Sequence, residues 1–185
     1  MKKIILTIAA VVVFYSFSNG QTAIVTDPGA YAHLAENVKA SLESVNALKK
    51  QTSILTETRD ALMKISNTLN EFQIIENIIQ NQKYIMLQTK TTYTNLEKSQ
   101  LFNPYELSNL LSGFTGVINQ SANNVKYATK ILKENALKMS DGERLKMLLD
   151  LETKSNSEKC KVVSMDRRCN DEIARKSLHK TFLSN

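Results

Sequence analysis

Leucines recur every seven residues in a long stretch that contains neither glycine nor proline. These leucines and the apolar residues that flank them are Leu34, Val38, Val45, Leu48, Leu55, Leu62, Ile65, Leu69 and Phe72. Such spacing places apolar side chains on one face of an α-helix. Asp27 suits the cap of this helix and Pro28 suits its first position, where a backbone N–H would have no partner. We therefore predict one long helix from Pro28 to about Asn70.

A second helix is predicted from Glu71 to Ser99, where isoleucines and leucines again recur at helical spacing. No strong helix breaker separates it from the first helix. The residues therefore leave open whether the chain bends or reverses near 67–71. An unbroken first helix would be roughly 60 Å long at 1.5 Å per residue, and we expect an elongated molecule.

Capping signals predict where the later helices begin. Asn103 can cap a helix whose first residue is Pro104, and Glu106 lies three positions after the cap, as in a capping box. The segment 140–143 repeats this pattern and predicts a short fourth helix. A weaker apolar pattern predicts a fifth helix from about Asp166 to Phe182.

Composition supports a helical fold. The 185 residues include five glycines, two prolines and no tryptophan, and the polar stretches are rich in Asn, Gln, Lys, Ser and Thr. Few turn-forming residues favour helices over a sheet with many turns. The predicted fold class is all-α, an elongated bundle of long antiparallel helices with a short C-terminal helical appendage. The predicted parts are a signal peptide (1–20), the bundle (21–158) and a basic C-terminal helical segment (159–185).

The N-terminal residues have the pattern of a secretory signal. Two lysines precede an apolar run from Ile4 to about Phe17, which is shorter than the roughly twenty residues that span a bilayer. Ser18 and Gly20 are the small residues that a signal peptidase reads, which predicts cleavage between Gly20 and Gln21. We expect export to the periplasm or the cell surface, and a retained N-terminal anchor is the alternative.

Basic residues are concentrated near the C-terminus. The full chain carries 24 basic and 18 acidic residues. The basic cluster consists of Lys159, Lys161, Arg167, Arg168, Arg175, Lys176 and Lys180. These residues are either a solvated helix face or an electrostatic contact with an acidic partner or membrane head groups. No aromatic residues interleave with them to stack on bases, so no direct nucleic-acid partner is expected.

Two cysteines, Cys160 and Cys169, complete the C-terminal pattern. An even count in an exported chain favours a disulfide. On one continuous helix the two residues would lie about 13 Å apart, whereas a disulfide requires Cα atoms within about 7 Å. A disulfide therefore predicts a chain reversal near 164–168, and two free thiols are the alternative.

The sequence offers no assembled catalytic site. His33 and His179 lie far apart, and neither has a metal-ligand spacing with another His or Cys. Ser177 and Lys180 match a Ser-x-x-Lys spacing, but its companion motifs are missing. Gly113 and Gly116 lie within a helical pattern and indicate a close helix crossing or a kink. We predict a non-enzymatic protein with no catalytic residue, metal ligand, cofactor or small-molecule substrate.

The start of the expected mature chain resembles the minor pilus subunit family of type IV secretion and conjugal transfer systems. The similarity rests on Ile24, Val25, Asp27, Pro28, Tyr31, Leu34 and the apolar stripe from Val38 to Leu69. This resemblance implies a helical bundle with a smaller appendage, located in or at the tip of a conjugative pilus. It implies other subunits of the apparatus as partners, and contact with a recipient cell surface. The alternative is a periplasmic helical chaperone or adaptor; a lytic enzyme would require a Glu or Cys-His site that the chain does not assemble.

Overall fold

A computed structural model describes residues 28–63, 69–134 and 139–184, and these form four helices. The helices are α1 (Pro28–Met63), α2 (Leu69–Ser99), α3 (Pro104–Glu134) and α4 (Asp141–Ser184). Within the described ranges the chain is 96% helical and has no strand, which confirms the predicted all-α bundle. The predicted signal, its cleavage between Gly20 and Gln21 and the Asp27 cap lie outside these ranges.

The structure describes the first helix to Met63, and Leu69 and Asn70, which its apolar pattern places at its end, belong to α2 instead. Arg59 near the end of α1 forms an ion pair with Glu76 near the start of α2. The two helices are therefore antiparallel, and the chain reverses between Met63 and Leu69. This answers the question that the residues alone left open.

Helices of like direction pack side by side. Asn37 and Ser41 of α1 bond to Ser108 and Thr115 of α3 at 2.5 and 2.6 Å, so these two helices run parallel. Likewise, α2 runs parallel to α4, and α3 runs antiparallel to α4. The two close pairs, α1 with α3 and α2 with α4, pack against each other to make the bundle.

The predicted capping boxes of α3 and α4 are both present. The Glu106 amide donates to Asn103 Oδ1 at 2.9 Å, and the Asn103 amide donates to Glu106 Oε2 at 3.0 Å. At the start of α4, Ser140 and Glu143 exchange the same pair of bonds, at 3.0 and 3.3 Å. Each box satisfies two amides that a helix start would leave unpaired.

The predictions for the C-terminal part were wrong, because α4 is a single helix of 44 residues. The separate fifth helix and the reversal near 164–168 do not form, and the boundary proposed between 158 and 159 falls within α4. Cys160 and Cys169 are both free thiols on this continuous helix, which excludes the predicted disulfide between them. Cys160 is exposed, whereas burial raises the pKa of the Cys169 thiol to about 11.

All four helices contribute to one hydrophobic core. Leu48 and Leu55 of the predicted leucine stripe are fully buried, and Leu62 packs against the core while partly exposed. The Phe114 ring is fully buried and meets the Tyr93 ring edge-on, with centroids 5.8 Å apart. The largest fully buried side chains are Phe114, Leu48, Leu55, Ile75, Ile78, Ile79, Ile85, Leu96, Ile118, Ile131, Leu148 and Leu151.

A ladder of polar contacts joins α2 to α4 beside this core. Residues 73 to 75 positions apart pair along the two helices, beginning with Glu71 and Arg144 at 3.0 Å. The other pairs are Asn77–Glu152, Asn81–Asn156, Gln82–Ser155 and Thr92–Asp166. Because a one-turn slip would separate every pair, the ladder fixes the register of the two parallel helices.

The ladder borders a buried carboxylate, Glu158 of α4, which is only 1% exposed. It accepts hydrogen bonds from Ser121 at 2.7 Å and Asn124 at 2.5 Å, both on α3. Burial raises the pKa of Glu158, although these bonds and the nearby Lys161 act in the opposite direction. A polar contact thus joins α3 to α4 in the bundle interior.

The two glycines of α3 differ in their surroundings. A Cβ added to Gly113 would lie 3.1 Å from Met165 Sδ of α4, whereas one added to Gly116 would have nothing within 4 Å. The expected close helix approach is therefore found at Gly113. Gly116 lies in the helix interior, where glycine costs backbone entropy.

We expect Gly116→Ala to raise the free energy of unfolding by about 0.5–1 kcal/mol, because alanine favours the helix and meets no neighbour. Urea denaturation measures this change. Gly113→Ala is the matched control, and we expect a smaller gain from it because its Cβ presses on Met165. A loss of stability in Gly116→Ala would contradict the prediction.

Candidate interaction surface at the C-terminal end of the bundle

The seven basic residues predicted as an electrostatic contact do not form one patch. They extend along six turns of α4, and an α-helix turns by about 100° per residue. Lys159 and Lys161 consequently point about 160° apart around the helix. The structure places Lys159, Lys161 and Arg167 along the bundle, whereas the other four lie near its end and line two neighbouring grooves.

Lys159, Lys161, Arg167 and Arg168 have different surroundings. The Lys159 ammonium lies 5.2 Å from the centre of the Tyr84 ring of α2, in a cation–π contact. Lys161 lies near the buried Glu158 and favours its charged form. Arg167 and Arg168 are exposed. Lys159, Lys161 and Arg167 lie on different sides of α4, whereas Arg168 lines a groove together with Arg175 and Lys176.

Arg175, Lys176 and Lys180 converge with His179 on a cleft at the C-terminal end of α4. Gln100 and Leu101, from the connection between α2 and α3, form its other wall. The open cleft has a volume of about 540 Å³, which lies within the roughly 300–1,000 Å³ typical of ligand sites. We call this feature the C-terminal cleft.

Local backbone geometry positions the wall of this cleft. Gln100 has a φ of 52°, the left-handed conformation that ends many helices, and its amide donates to the Glu97 carbonyl at 3.4 Å. The chain then turns toward the cap of α3 at Asn103. As a result, the α2–α3 connection lies beside the last turns of α4.

Ion pairs within the chain partly neutralise the cleft. Lys176 donates to Glu106 at 2.8 Å and lies 5.2 Å from the Phe102 ring centre. The hydrogen bond from Lys176 is the main reason that the pKa of Glu106 is lowered. Arg175 pairs with Glu172 at 2.6 Å, which raises the pKa of Arg175. The cleft is therefore less positive than the sequence cluster indicates.

Three large apolar side chains are exposed in the first turn of α3 and the last turns of α4, and sequence reasoning did not single them out. Tyr105 is 72% exposed, Leu178 is 60% exposed and Phe182 is 80% exposed. Leu178 and Phe182 lie four residues apart on one face of α4, and residues 177–182 are all exposed. One sequence signal could have identified Leu178 and Phe182. They are an apolar pair near the end of a helix, beyond the last residue that packs in the core.

The N-terminal end of α1 lies on the same side of the bundle. Asn37 pairs with Ser108 near the start of α3, so the residues of α1 before Asn37 extend further toward this end. This extension is about 13 Å long at 1.5 Å per residue. The C-terminal cleft, the exposed apolar side chains and the first turns of α1 thus mark one end of the molecule.

The chemistry of this end suits binding. It combines aromatic and aliphatic side chains with cations and with the amide of Gln100, the mixture typical of the anchors and rim of a protein interface. Among residues 28–63, 69–134 and 139–184, no group of three or more His, Cys, Asp or Glu is placed to hold a metal ion. None of the helices in these ranges is long and apolar enough to cross a bilayer.

Comparisons with known proteins gave no relative, since the chain matches no protein-family model, no curated protein sequence and no solved structure.

Proposed function

We propose that this chain is an exported, non-enzymatic component of a conjugative DNA-transfer apparatus of the type IV secretion class. In this proposal it is a minor pilus or pilus-tip subunit that acts by associating with other subunits. The similarity of Ile24 to Leu34 and of the following apolar stripe to minor pilus subunits supports the assignment. The signal-like N-terminus supports export.

The observation that carries the association mechanism is the exposed apolar pair Leu178 and Phe182 beside the C-terminal cleft. Burying such side chains in an interface contributes roughly 1.5–3 kcal/mol each. Their position at one end of an elongated bundle favours end-on contact with a neighbouring subunit. The surrounding cations orient that contact and speed association.

Cell fractionation tests the assignment. Sheared extracellular filaments from cells that carry the transfer genes are purified, and the filaments and the periplasm are both probed for this chain, with its N-terminus sequenced. We expect a chain that begins at Gln21 and copurifies with filaments. A mature chain found only free in the periplasm would favour the chaperone or adaptor alternative, and an uncleaved chain in the inner membrane would contradict export by a cleaved signal.

The apolar pair gives a sharper prediction. We expect the double variant Leu178→Ser/Phe182→Ser to lose at least about tenfold of its filament association, because two interface side chains are removed. Its thermal stability should change little, since both side chains are exposed in the free chain. The measurement is the amount of chain that copurifies with filaments, together with a melting curve.

Leu87→Ser is the matched control, because Leu87 of α2 is also 67% exposed but lies away from the C-terminal cleft. This variant should copurify with filaments as the wild type does. Equal losses in the control and the double variant would contradict a role for this end of the bundle.

A further inference from the structure

The outer side of α4 carries a row of exposed side chains. An α-helix turns by about 100° per residue, so these side chains lie within about 80° of each other around α4 and span about 38 Å along it. They are Ser157, Cys160, Ser164, Arg168, Asp171, Arg175, Leu178 and Phe182. We call this feature the α4 stripe. It faces away from the core, to which α4 contributes Leu151, Val162 and Cys169.

Two opposite charges of the α4 stripe have no partner within the chain. In the part of the chain that the structure describes, neither Arg168 nor Asp171 takes part in an ion pair or a side-chain hydrogen bond. Arg175, the third charge of the stripe, is engaged by Glu172 at 2.6 Å. The stripe therefore offers one unpaired cation and one unpaired anion, about 4.5 Å apart along the helix.

An unpaired acid and an unpaired base on one exposed stripe are complementary to the same stripe of a second copy. Two copies of α4 can lie antiparallel, with a two-fold axis midway between Arg168 and Asp171. Arg168 of each copy then faces Asp171 of the other, because a two-fold axis that brings residue i to residue j also brings j to i. One arrangement thus pairs all four charges.

The same arrangement matches large side chains with small ones. Along the helix, the two-fold axis is about 13 Å from Leu178 and about 19 Å from Phe182. On the other side of the axis, Cys160 lies about 14 Å away and Ser157 about 19 Å away. Leu178 of one copy therefore lies beside Cys160 of the other, and Phe182 lies beside Ser157. Small side chains at these positions let the two helices approach closely.

We propose that two copies of this chain associate through their α4 stripes, antiparallel, with Arg168 and Asp171 paired across the interface. This inference rests on the proposed function, because it names a second copy as the neighbouring subunit that Leu178 and Phe182 contact. The pairing of the two helices itself depends only on described residues of α4.

The charges favour a second copy over a partner of one charge sign. An acidic partner would be attracted by Arg168 and repelled by Asp171, and a basic partner would meet the reverse. A surface that presents both charges at the same spacing satisfies both residues. The α4 stripe of a second copy is such a surface.

Sedimentation velocity of the purified chain over a concentration series tests the proposal. We expect a reversible equilibrium between monomer and dimer. Arg168→Asp and Asp171→Arg should each weaken self-association at least about tenfold, because the two-fold axis turns each single reversal into two like-charge contacts. Lys50→Asp is the matched control, since it makes the same charge change at an exposed position of α1, which does not contact α4 in the described ranges. It should change the affinity by less than about twofold.

A mixture of the two reversed variants gives the sharpest measurement. When one chain carries Arg168→Asp and the other carries Asp171→Arg, opposite charges face each other again at both contacts. The two variants should therefore bind each other within about threefold of the wild-type affinity, although neither dimerises well alone. A contact that used only one of the two positions would not be restored in the mixture.

The apolar end of the α4 stripe is tested in the same assay. Leu178→Ser/Phe182→Ser should weaken self-association at least about tenfold, because two side chains that the interface buries are lost. Leu87→Ser, at an exposed leucine of α2, should leave the affinity unchanged. Circular dichroism of each variant verifies that it folds.

Three outcomes would overturn the proposal: a chain that stays monomeric at every concentration, reversals that weaken association no more than Lys50→Asp does, or a mixture that does not associate. Because sedimentation uses the purified chain, its failure is distinguishable from failure of the pilus proposal, which filament fractionation decides.

Discussion

Replacing Phe114 by alanine should lower the free energy of unfolding by about 3–5 kcal/mol, the usual cost of removing a fully buried aromatic ring. The variant loses the edge-on contact with Tyr93 of α2, whose ring centre lies 5.8 Å away. It also leaves a cavity between helices that the rest of the core holds apart. Urea denaturation followed by circular dichroism measures the loss.

Phe182→Ala provides the matched control, because it makes the same chemical change at a side chain that is 80% exposed. This variant should alter the free energy of unfolding by less than about 0.5 kcal/mol. If the two variants lost similar amounts of stability, Phe114 would not be the centre of the packed core that the structure describes.

Replacing Glu158 by alanine should lower the free energy of unfolding by roughly 3 kcal/mol, even though the side chain is a carboxylate in the interior. The change removes the acceptor for two side chains of α3, the buried Ser121 and the half-buried Asn124. The change also opens a cavity in the interior, because Glu158 is only 1% exposed. Glu152→Ala, at a half-buried position on the same helix, should cost less.

Glu158→Gln, which keeps the volume of the side chain, isolates its ionisation. Burial raises the pKa of Glu158 above the ordinary value of 4.5. The Glu158 carboxyl group therefore binds its proton more tightly in the folded state than in the unfolded state. The folded state then loses stability as the pH rises through the ordinary pKa and up to the raised one. The glutamine variant lacks this loss.

We therefore expect the stability of Glu158→Gln relative to the wild type to increase as the pH is raised from below 4.5 to neutrality. Lys176 lowers the pKa of Glu106, and the Ser140 amide lowers the pKa of Glu143. The wild type and the Glu158→Gln variant therefore both lose stability as these two groups are protonated at low pH, and this loss cancels when the variant is compared with the wild type. Urea midpoints from pH 3.5 to 7 measure it. A difference that does not change with pH would contradict a buried, titrating Glu158.

Local sequence signals predicted the helices of the bundle well. Asn103 with Glu106 and Ser140 with Glu143 were identified as capping boxes, and the structure shows both. The leucine spacing predicted the buried face of α1, where Leu48 and Leu55 are fully buried. These features were readable because caps and helical periodicity depend on residues within a few positions of each other.

The C-terminal prediction failed because an oxidising compartment favours a disulfide, whereas the local residues favour one continuous helix. The pairing of Cys160 and Cys169 required a reversal, yet no glycine or proline occurs between Glu143 and Ser184 to end a helix. Without such a breaker the helix continues, and its rise separates the two thiols beyond bonding reach. The helix-forming pattern was the better guide.

The candidate surface could not have been located from the sequence. The C-terminal cleft joins Gln100 and Leu101 to residues of α4 more than seventy positions later. Of the seven basic residues, Arg175, Lys176 and Lys180 converge on the cleft, and Arg168 lines a neighbouring groove with Arg175 and Lys176. Helical rotation distributes the others around α4.

The sequence by itself determined the helical class, the caps of α3 and α4 and the apolar face of α1, since each depends on neighbours along one helix. Only the tertiary structure decided that α1 runs parallel to α3, that α2 and α4 pair through a polar ladder and which charges share a surface. Contacts such as Asn77 with Glu152 join residues 75 positions apart. Nothing in either local segment specifies that pairing, because it is set by the simultaneous packing of all four helices around one core.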